Sequence, residues 1–112
     1  DLMPGNYATS VMLARNLIAT EAYADARRLL DRMLLKRQDP ILWSMMADAW
    51  GKEGDRARAH QARGEYLFAI GQEQRGLEQM RFALNQSSER FALHSQVRAR
   101  LQEMERLANE RF

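Results

Sequence analysis

The sequence predicts an all-α protein built as a helical solenoid. Two observations predict this class: apolar residues recur at helical spacing, and two stretches of the chain repeat each other at a fixed offset. A second offset, of 17 residues, relates Gly54 to Gly71 and is about half of the longer offset, which is 33 residues. Three helical hairpins, or about six helices, would fill the chain. The 33-residue offset matches Leu13, Ala14 and Leu17 with Met46, Ala47 and Trp50, and Tyr23, Ala26 and Leu30 with Arg56, Ala59 and Arg63.

The first half of the chain contains start and stop signals for three helices. A turn signal at residues 4–6 precedes a first helix that we expect over residues 7–19. The second helix is predicted over residues 21–36, before Gln38-Asp39-Pro40 interrupts the pattern. Pro40 fits the first turn of a third helix, where its missing N–H has no partner to lose, and this helix continues to Gly51.

The second half of the chain contains three further helices. Gly54 provides a turn, and Asp55 is placed to cap a fourth helix that runs through Ile70. Gly71 ends that helix, and the fifth carries apolar residues up to a polar break at residues 85–88. Ser88 is the predicted N-cap of a long sixth helix, expected over residues 89–111, whose polar outer face would cap the array.

Composition indicates a single domain over residues 1–112. The chain is 46% hydrophobic and 29% charged, which is ordinary for a globular domain. It has no cysteine, which excludes a disulfide framework and a thiolate metal site. No apolar run approaches the ~18 residues that a membrane-spanning helix needs. Because the chain starts with neither an initiator methionine nor a signal-peptide pattern, we expect it to be a C-terminal fragment of a longer protein.

The repeat resembles the tetratricopeptide repeat (TPR), a helix–turn–helix unit of ~34 residues. The predicted fold is therefore a TPR-like helical-hairpin solenoid with a long C-terminal capping helix. A closer resemblance is to the C-terminal TPR domain of BepA-type periplasmic zinc metalloproteases. It rests on Trp43-Ser-Met-Met-Ala-Asp-Ala-Trp50, on the link from Ala62-Arg-Gly-Glu-Tyr66 to Gly71, and on the basic, leucine-spaced run at residues 97–106.

That family implies a docking function. In it, a protease domain with a His-Glu-x-x-His zinc site precedes the repeats, which engage the outer-membrane β-barrel assembly machinery and its unfolded clients. The resemblance thus implies a periplasmic location and protein partners, including the parent's own protease domain, with zinc held upstream. From the sequence alone the cytoplasm stays open as a location. The alternative function is a TPR scaffold of another assembly, such as a pilus, secretion or cytoplasmic regulatory complex, and a third is a hydrolase with its active site upstream.

The residues of this chain do not predict an enzyme. His60 has Arg63 and Gly64 at the i+3 and i+4 positions, and His94 has Arg98 at i+4, so neither forms a helical metal pair. Ser87 and Ser88 have no base nearby in sequence and fit caps and turns. We therefore expect no catalytic, metal or cofactor site in this chain. A net charge of +2, with arginines interleaved with acids, also disfavours nucleic-acid binding.

We predict the partner site on the concave surface of the solenoid. The TPR register places two apolar residues of the first helix there, Val11 and Ile18, together with Phe68, although packing is the alternative role for the first two. The groove lacks the Lys/Asn pattern that clamps a C-terminal carboxylate, which favours an extended or folded protein partner. Leu35 is predicted as a separate apolar contact on the outer face. The predicted polar positions of the groove are Arg15, Ser44, Asp48, Lys52, Gln61 and Glu65.

Overall fold

Six helices pack one after another in chain order. The computed structural model describes residues 6–110, and within this range the chain forms no strand. Each helix contacts the next, and the first also contacts the third. This architecture confirms the predicted all-α, TPR-like solenoid. The helices are α1 (Tyr7–Ala19), α2 (Tyr23–Lys36), α3 (Pro40–Lys52), α4 (Arg56–Ala69), α5 (Glu73–Gln86) and α6 (Phe91–Asn109).

Capping side chains mark three of the six helix starts, those of α1, α3 and α4. The Asp39 side chain accepts a hydrogen bond from Ile41 N at 3.1 Å and caps α3, whose first residue is Pro40. The Asp55 side chain accepts from Arg58 N at 3.1 Å and caps α4, as predicted. The prediction that Ser88 caps the sixth helix is wrong, because α6 begins at Phe91 without a side-chain cap. The predicted end of that helix, at residue 111, lies outside the described residues.

Three of the turns between helices share one backbone geometry. Glu21, Gly54 and Gly71 have φ angles of 65°, 85° and 89°, so all three lie in the left-handed region. In each turn the N–H of the following residue donates a hydrogen bond to a carbonyl of the preceding helix, as from Asp55 N to Trp50 O at 3.0 Å. Glu21 and Gly54 are 33 residues apart, which confirms the repeat in three dimensions. The positive φ of Glu21 also explains why α2 begins two residues later than predicted.

The core has two parts that meet at α4. Small residues at the repeated positions are buried, as the register predicts for close helix crossings. Arg56 and Arg63, which the repeat matches with Tyr23 and Leu30, are exposed instead. The first part joins α1, α2 and α3 with Ala62 of α4, and the second joins Ala57 of α4 with α5 and α6. The buried small residues of the repeat are Ala14, Ala26, Ala47 and Ala59.

Backbone-to-backbone contact joins α4 to α5. A Cβ added to Gly76 would lie 2.9 Å from Gly64 O and 2.9 Å from Phe68 N. A Cβ added to Gly64 would lie 2.8 Å from the sulfur of Met80 and 3.0 Å from Gly76 O. Only glycine at both positions lets the two helices approach this closely, because any side chain would occupy the space of the neighbouring backbone.

Two arginines of the last hairpin fasten it to α4. Arg100 donates from Nε and Nη2 to the Glu65 carboxylate at 2.7 and 2.9 Å. Arg90, just before α6, donates from Nη1 and Nη2 to Asp55 at 2.9 and 3.1 Å. Each pair is bidentate, which fixes orientation as well as distance. These pairs determine which face of α4 is directed towards α6.

Candidate functional site

One concavity on the described part of the molecule is built by four helices. We call it the first groove; it has a volume of about 490 Å³ and draws on α1, α3, α4 and α5. Its apolar floor is formed by Ile41, Met45, Ala47 and Leu67. A smaller concavity of about 250 Å³ shares Arg15, Met45 and Asp48 with it and reaches Lys52. The polar residues of the first groove are Arg15, Ser44, Asp48, Arg63, Tyr66, Arg75 and Gln79.

Helical spacing on α3 brings the central polar side chains of the first groove together. Ser44 and Asp48 are one turn apart on α3, and Lys52 follows one turn later. The Lys52 ammonium lies 3.5 Å from the Asp48 carboxylate, and both side chains are half-exposed. Arg15 reaches the same groove from α1. The structure therefore places three of the six predicted polar positions in the first groove, and a fourth, Lys52, lines the smaller concavity beside it.

Gln61 and Glu65 do not belong to the first groove, contrary to the prediction of a single site. They line a second groove, formed with α3 and α6. The prediction transferred the register of α1 and α3 to α4, but α4 is the second helix of its hairpin and presents this face to α6. At ~100° per residue, Arg63 lies opposite Gln61 and Glu65 on α4 and faces the first groove instead. The second groove is lined by Trp43, Gln61, Glu65, Gln96, Ala99, Arg100 and Glu103.

Charges in the second groove are neutralised within the protein. The Glu65 side chain is only 13% exposed and is held by Arg100, which also donates to Glu103 at 2.5 Å. Hydrogen bonding from Arg100 to Glu65 is the largest effect on the Arg100 guanidinium and raises its pKa, so this guanidinium stays charged. This groove consequently offers little unpaired charge to a partner.

The apolar residues predicted for the groove mostly pack in the core. Ile18 is 6% exposed and belongs to the first part of the core, and Val11 is half-buried against the same residues. Phe68 is half-buried against the second part of the core. Their arrangement fits the packing interpretation. Ile18 does form part of the smaller concavity, beside Lys52.

The side chain of Leu35 is exposed, as predicted. Its relative exposure is 87%, and it is the penultimate residue of α2. Phe91, the first residue of α6, is equally prominent at 85% and was not predicted. Both are single apolar side chains at helix ends.

Sequence reasoning missed four polar residues of the first groove. Arg63 and Tyr66 come from α4, and Arg75 and Gln79 from α5. One signal could have found the second pair: α5 is the first helix of its hairpin, like α1 and α3, and Arg75 and Gln79 are one turn apart on it. Nothing in the local sequence indicates which side of α4 faces the groove, because α4 packs against helices on two sides.

A serine and a histidine lie closer than the sequence suggested. Ser87 Oγ lies 3.2 Å from His94 Nδ1, although the two are seven residues apart. Ser87 is completely buried and its hydroxyl donates to Leu84 O at 3.1 Å, so it supports the turn before α6. His60 Nδ1 lies 2.8 Å from Gln79 Oε1, between α4 and α5. Across residues 6–110, no three acidic or histidine side chains gather closely enough to hold a metal ion.

Comparison with known proteins gives one match. Residues 1–49 match the family model of the tetratricopeptide repeat, and this range covers α1, α2 and most of α3. No curated protein and no solved structure was matched by the chain. In the part of the chain that the structure describes, no helix is long and apolar enough to span a membrane. The family match and the consecutive helical hairpins together support a tetratricopeptide-repeat domain, which is a protein–protein interaction module.

Proposed function

We propose that this domain holds a segment of another protein in the first groove. The observation that carries the proposal is the convergence of polar side chains from α1, α3, α4 and α5 over an apolar floor. Such a combination, in a concavity of about 490 Å³, suits a partner segment of a few residues: the floor takes apolar contacts and the rim supplies directional hydrogen bonds. The tetratricopeptide-repeat match supports a protein as the ligand.

The finer proposal follows from the sequence resemblance. According to this finer proposal, the domain docks a periplasmic zinc metalloprotease onto the outer-membrane β-barrel assembly machinery. The catalytic zinc then lies in an upstream protease domain, and residues 6–110 supply binding and no catalysis. The alternative is a scaffold of another assembly system, in the envelope or in the cytoplasm. Leu35 serves, in either case, as a second, apolar contact outside the groove.

Site-specific photocrosslinking in cells that make the full-length protein tests both levels of the proposal. Photoreactive residues would replace Ser44 and Asp48 in the first groove, Gln61 in the second groove and Leu35 on the outer face. Arg106 on α6, whose ion pair with Glu110 is well exposed, serves as the control position.

We expect crosslinks to a partner protein from Ser44 and Asp48, and none from Arg106. Barrel-assembly proteins as the crosslinked species would support the finer proposal, and proteins of a different assembly would favour the scaffold. Crosslinks from Gln61 or Arg106 without any from Ser44 and Asp48 would refute the first groove as the binding site.

A further inference from the structure

We infer that the partner segment held in the first groove is acidic, and that it is recognised through its Asp and Glu side chains. The inference rests on the proposed function and adds the chemical class of the partner. It starts from three exposed arginines that line the groove, Arg15 on α1, Arg63 on α4 and Arg75 on α5.

These three guanidinium groups are not neutralised within the described residues. No ion pair joins any of them to a carboxylate between residues 6 and 110; Arg75 donates to the neutral side chain of Gln72. Elsewhere, by contrast, arginines hold helices together through carboxylates, as Arg90 does with Asp55 and Arg100 with Glu65. The arginines of the first groove therefore keep most of their hydrogen-bond donors for a ligand.

The net charge of the first groove is positive. Among its described lining residues Asp48 is the only acidic one, and Lys52 already pairs with it at 3.5 Å. The second groove has a similar volume, but there Glu65 and Glu103 neutralise Arg100. Charge complementarity thus distinguishes the two grooves and indicates that a partner entering the first one carries carboxylates. Arginine suits this purpose because its planar group binds a carboxylate with two parallel hydrogen bonds.

A protein segment is favoured over a nucleic acid by two features. The Asp48 carboxylate lies within the groove, where it would repel a phosphate backbone but leaves room for separately placed side-chain carboxylates. The chain as a whole has a net charge of only +2, whereas nucleic-acid binding depends on an extended, one-signed basic surface.

The test selects peptides that bind the purified chain from a displayed library of random 12-residue sequences. The C terminus of each peptide is joined to the carrier, so that its only free carboxylates are those of side chains. The tightest peptide is then synthesised, together with a version in which every Asp and Glu is replaced by Asn and Gln. Binding of both is measured to the wild type and to the single variants Arg15→Glu, Arg63→Glu and Arg75→Glu. Arg98→Glu, an exposed position on α6, is the matched control because it changes the net charge equally.

We expect the selected peptides to be enriched in Asp and Glu, and the neutral version to bind about tenfold more weakly or worse, since it loses the charge-assisted hydrogen bonds to the arginines. Each groove variant should weaken binding by a similar factor, and Arg98→Glu by less than about twofold. Affinity should also fall as salt is raised, because the groove is open to water.

Further arms separate failure of this inference from failure of the proposed function. Ser44→Trp fills the first groove, and Ser95→Trp, exposed on α6, is its control. Peptides without acidic enrichment whose binding Ser44→Trp blocks would refute the inference and leave the proposed function standing. Peptides that bind equally to Ser44→Trp, or the absence of any selected peptide, would refute both. Tighter binding of a 12-nucleotide oligothymidylate than of the best peptide would refute the acidic-protein partner.

Discussion

Replacement of Gly76 by alanine probes the contact on which the two halves of the core depend. The new methyl group would lie 2.9 Å from both Gly64 O and Phe68 N, and 3.2 Å from Phe68 Cβ. Ordinary contacts of a Cβ begin near 3.4 Å. Because two of the three neighbours are backbone atoms of α4, they cannot turn aside, and the helices must separate by roughly half an ångström. A gap of that size already forfeits about a quarter of the dispersion energy of each atom pair across it.

Two opposing effects determine the stability of the Gly76→Ala variant. Alanine is a better helix former than glycine and stabilises a helix interior by about 1 kcal/mol. Overpacking of a well-packed contact costs about 1–3 kcal/mol, and the upper part of that range applies where backbone must move. We therefore expect the free energy of unfolding to fall by about 1–2 kcal/mol, which lowers the melting temperature of a domain of this size by ~4–8 °C per kcal/mol.

Gly51→Ala is the matched control. Gly51 lies in α3, is exposed, and its added Cβ would meet nothing closer than Ala59 Cβ at 4.0 Å. Only the helix-propensity effect applies there, so this variant should be more stable by about 0.5–1 kcal/mol. Thermal unfolding followed by circular dichroism measures both. Equal stabilisation of the two variants would show that α4 and α5 do not cross as closely as described.

Three further predictions concern single contacts. Glu21→Gly should stabilise the domain by up to about 1 kcal/mol, because glycine adopts the left-handed turn without steric cost. Gly54→Ala should destabilise the domain by about as much. Denaturant unfolding of the two variants measures both changes in the free energy of unfolding. Glu65→Gln should lower the free energy of unfolding by about 1–2 kcal/mol and increase amide hydrogen exchange in α6, because it removes the charged partner of Arg100 on that helix. Unchanged exchange in α6 would contradict this prediction. The hydrogen bond from Tyr7 OH, at 2.6 Å, is the largest effect that lowers the pKa of Asp39. The stability from this contact is therefore present above the ordinary carboxyl pKa and disappears as the pH falls through the lowered value. Tyr7→Phe should flatten the acid side of a stability–pH profile, and an unchanged profile would refute the contact.

The positions of several helices and turns could be predicted from the sequence because the signals for them are local. The bounds of α1 match the prediction, and Asp55 and Pro40 mark helix starts through contacts with their immediate neighbours. The left-handed turn at Gly54 follows from glycine chemistry alone. Glu21 shows the limit of this approach, since only the repeat register, and no local property of glutamate, would place it in the same turn.

The composition of the groove could be predicted only in part because it depends on packing between distant helices. Positions on α1 and α3 followed from the repeat, and Arg15, Ser44 and Asp48 do share a concavity. The direction of Glu65 is determined by Arg100, which is 35 residues away and belongs to no repeated motif. Arg75 likewise reaches the groove through the packing of α5 on α4, and its one signal in the sequence is that α5 is the first helix of its hairpin.

Nuclear magnetic resonance titration of the isotope-labelled chain with the tightest selected peptide tests the central claim most directly, because it maps the binding site without any substitution. The amides that shift should lie around the first groove, at Arg15, Ser44, Asp48, Arg63 and Arg75, while those of α6 stay unchanged. Shifts concentrated on α6 and the second groove, with the first groove unaffected, would contradict the account.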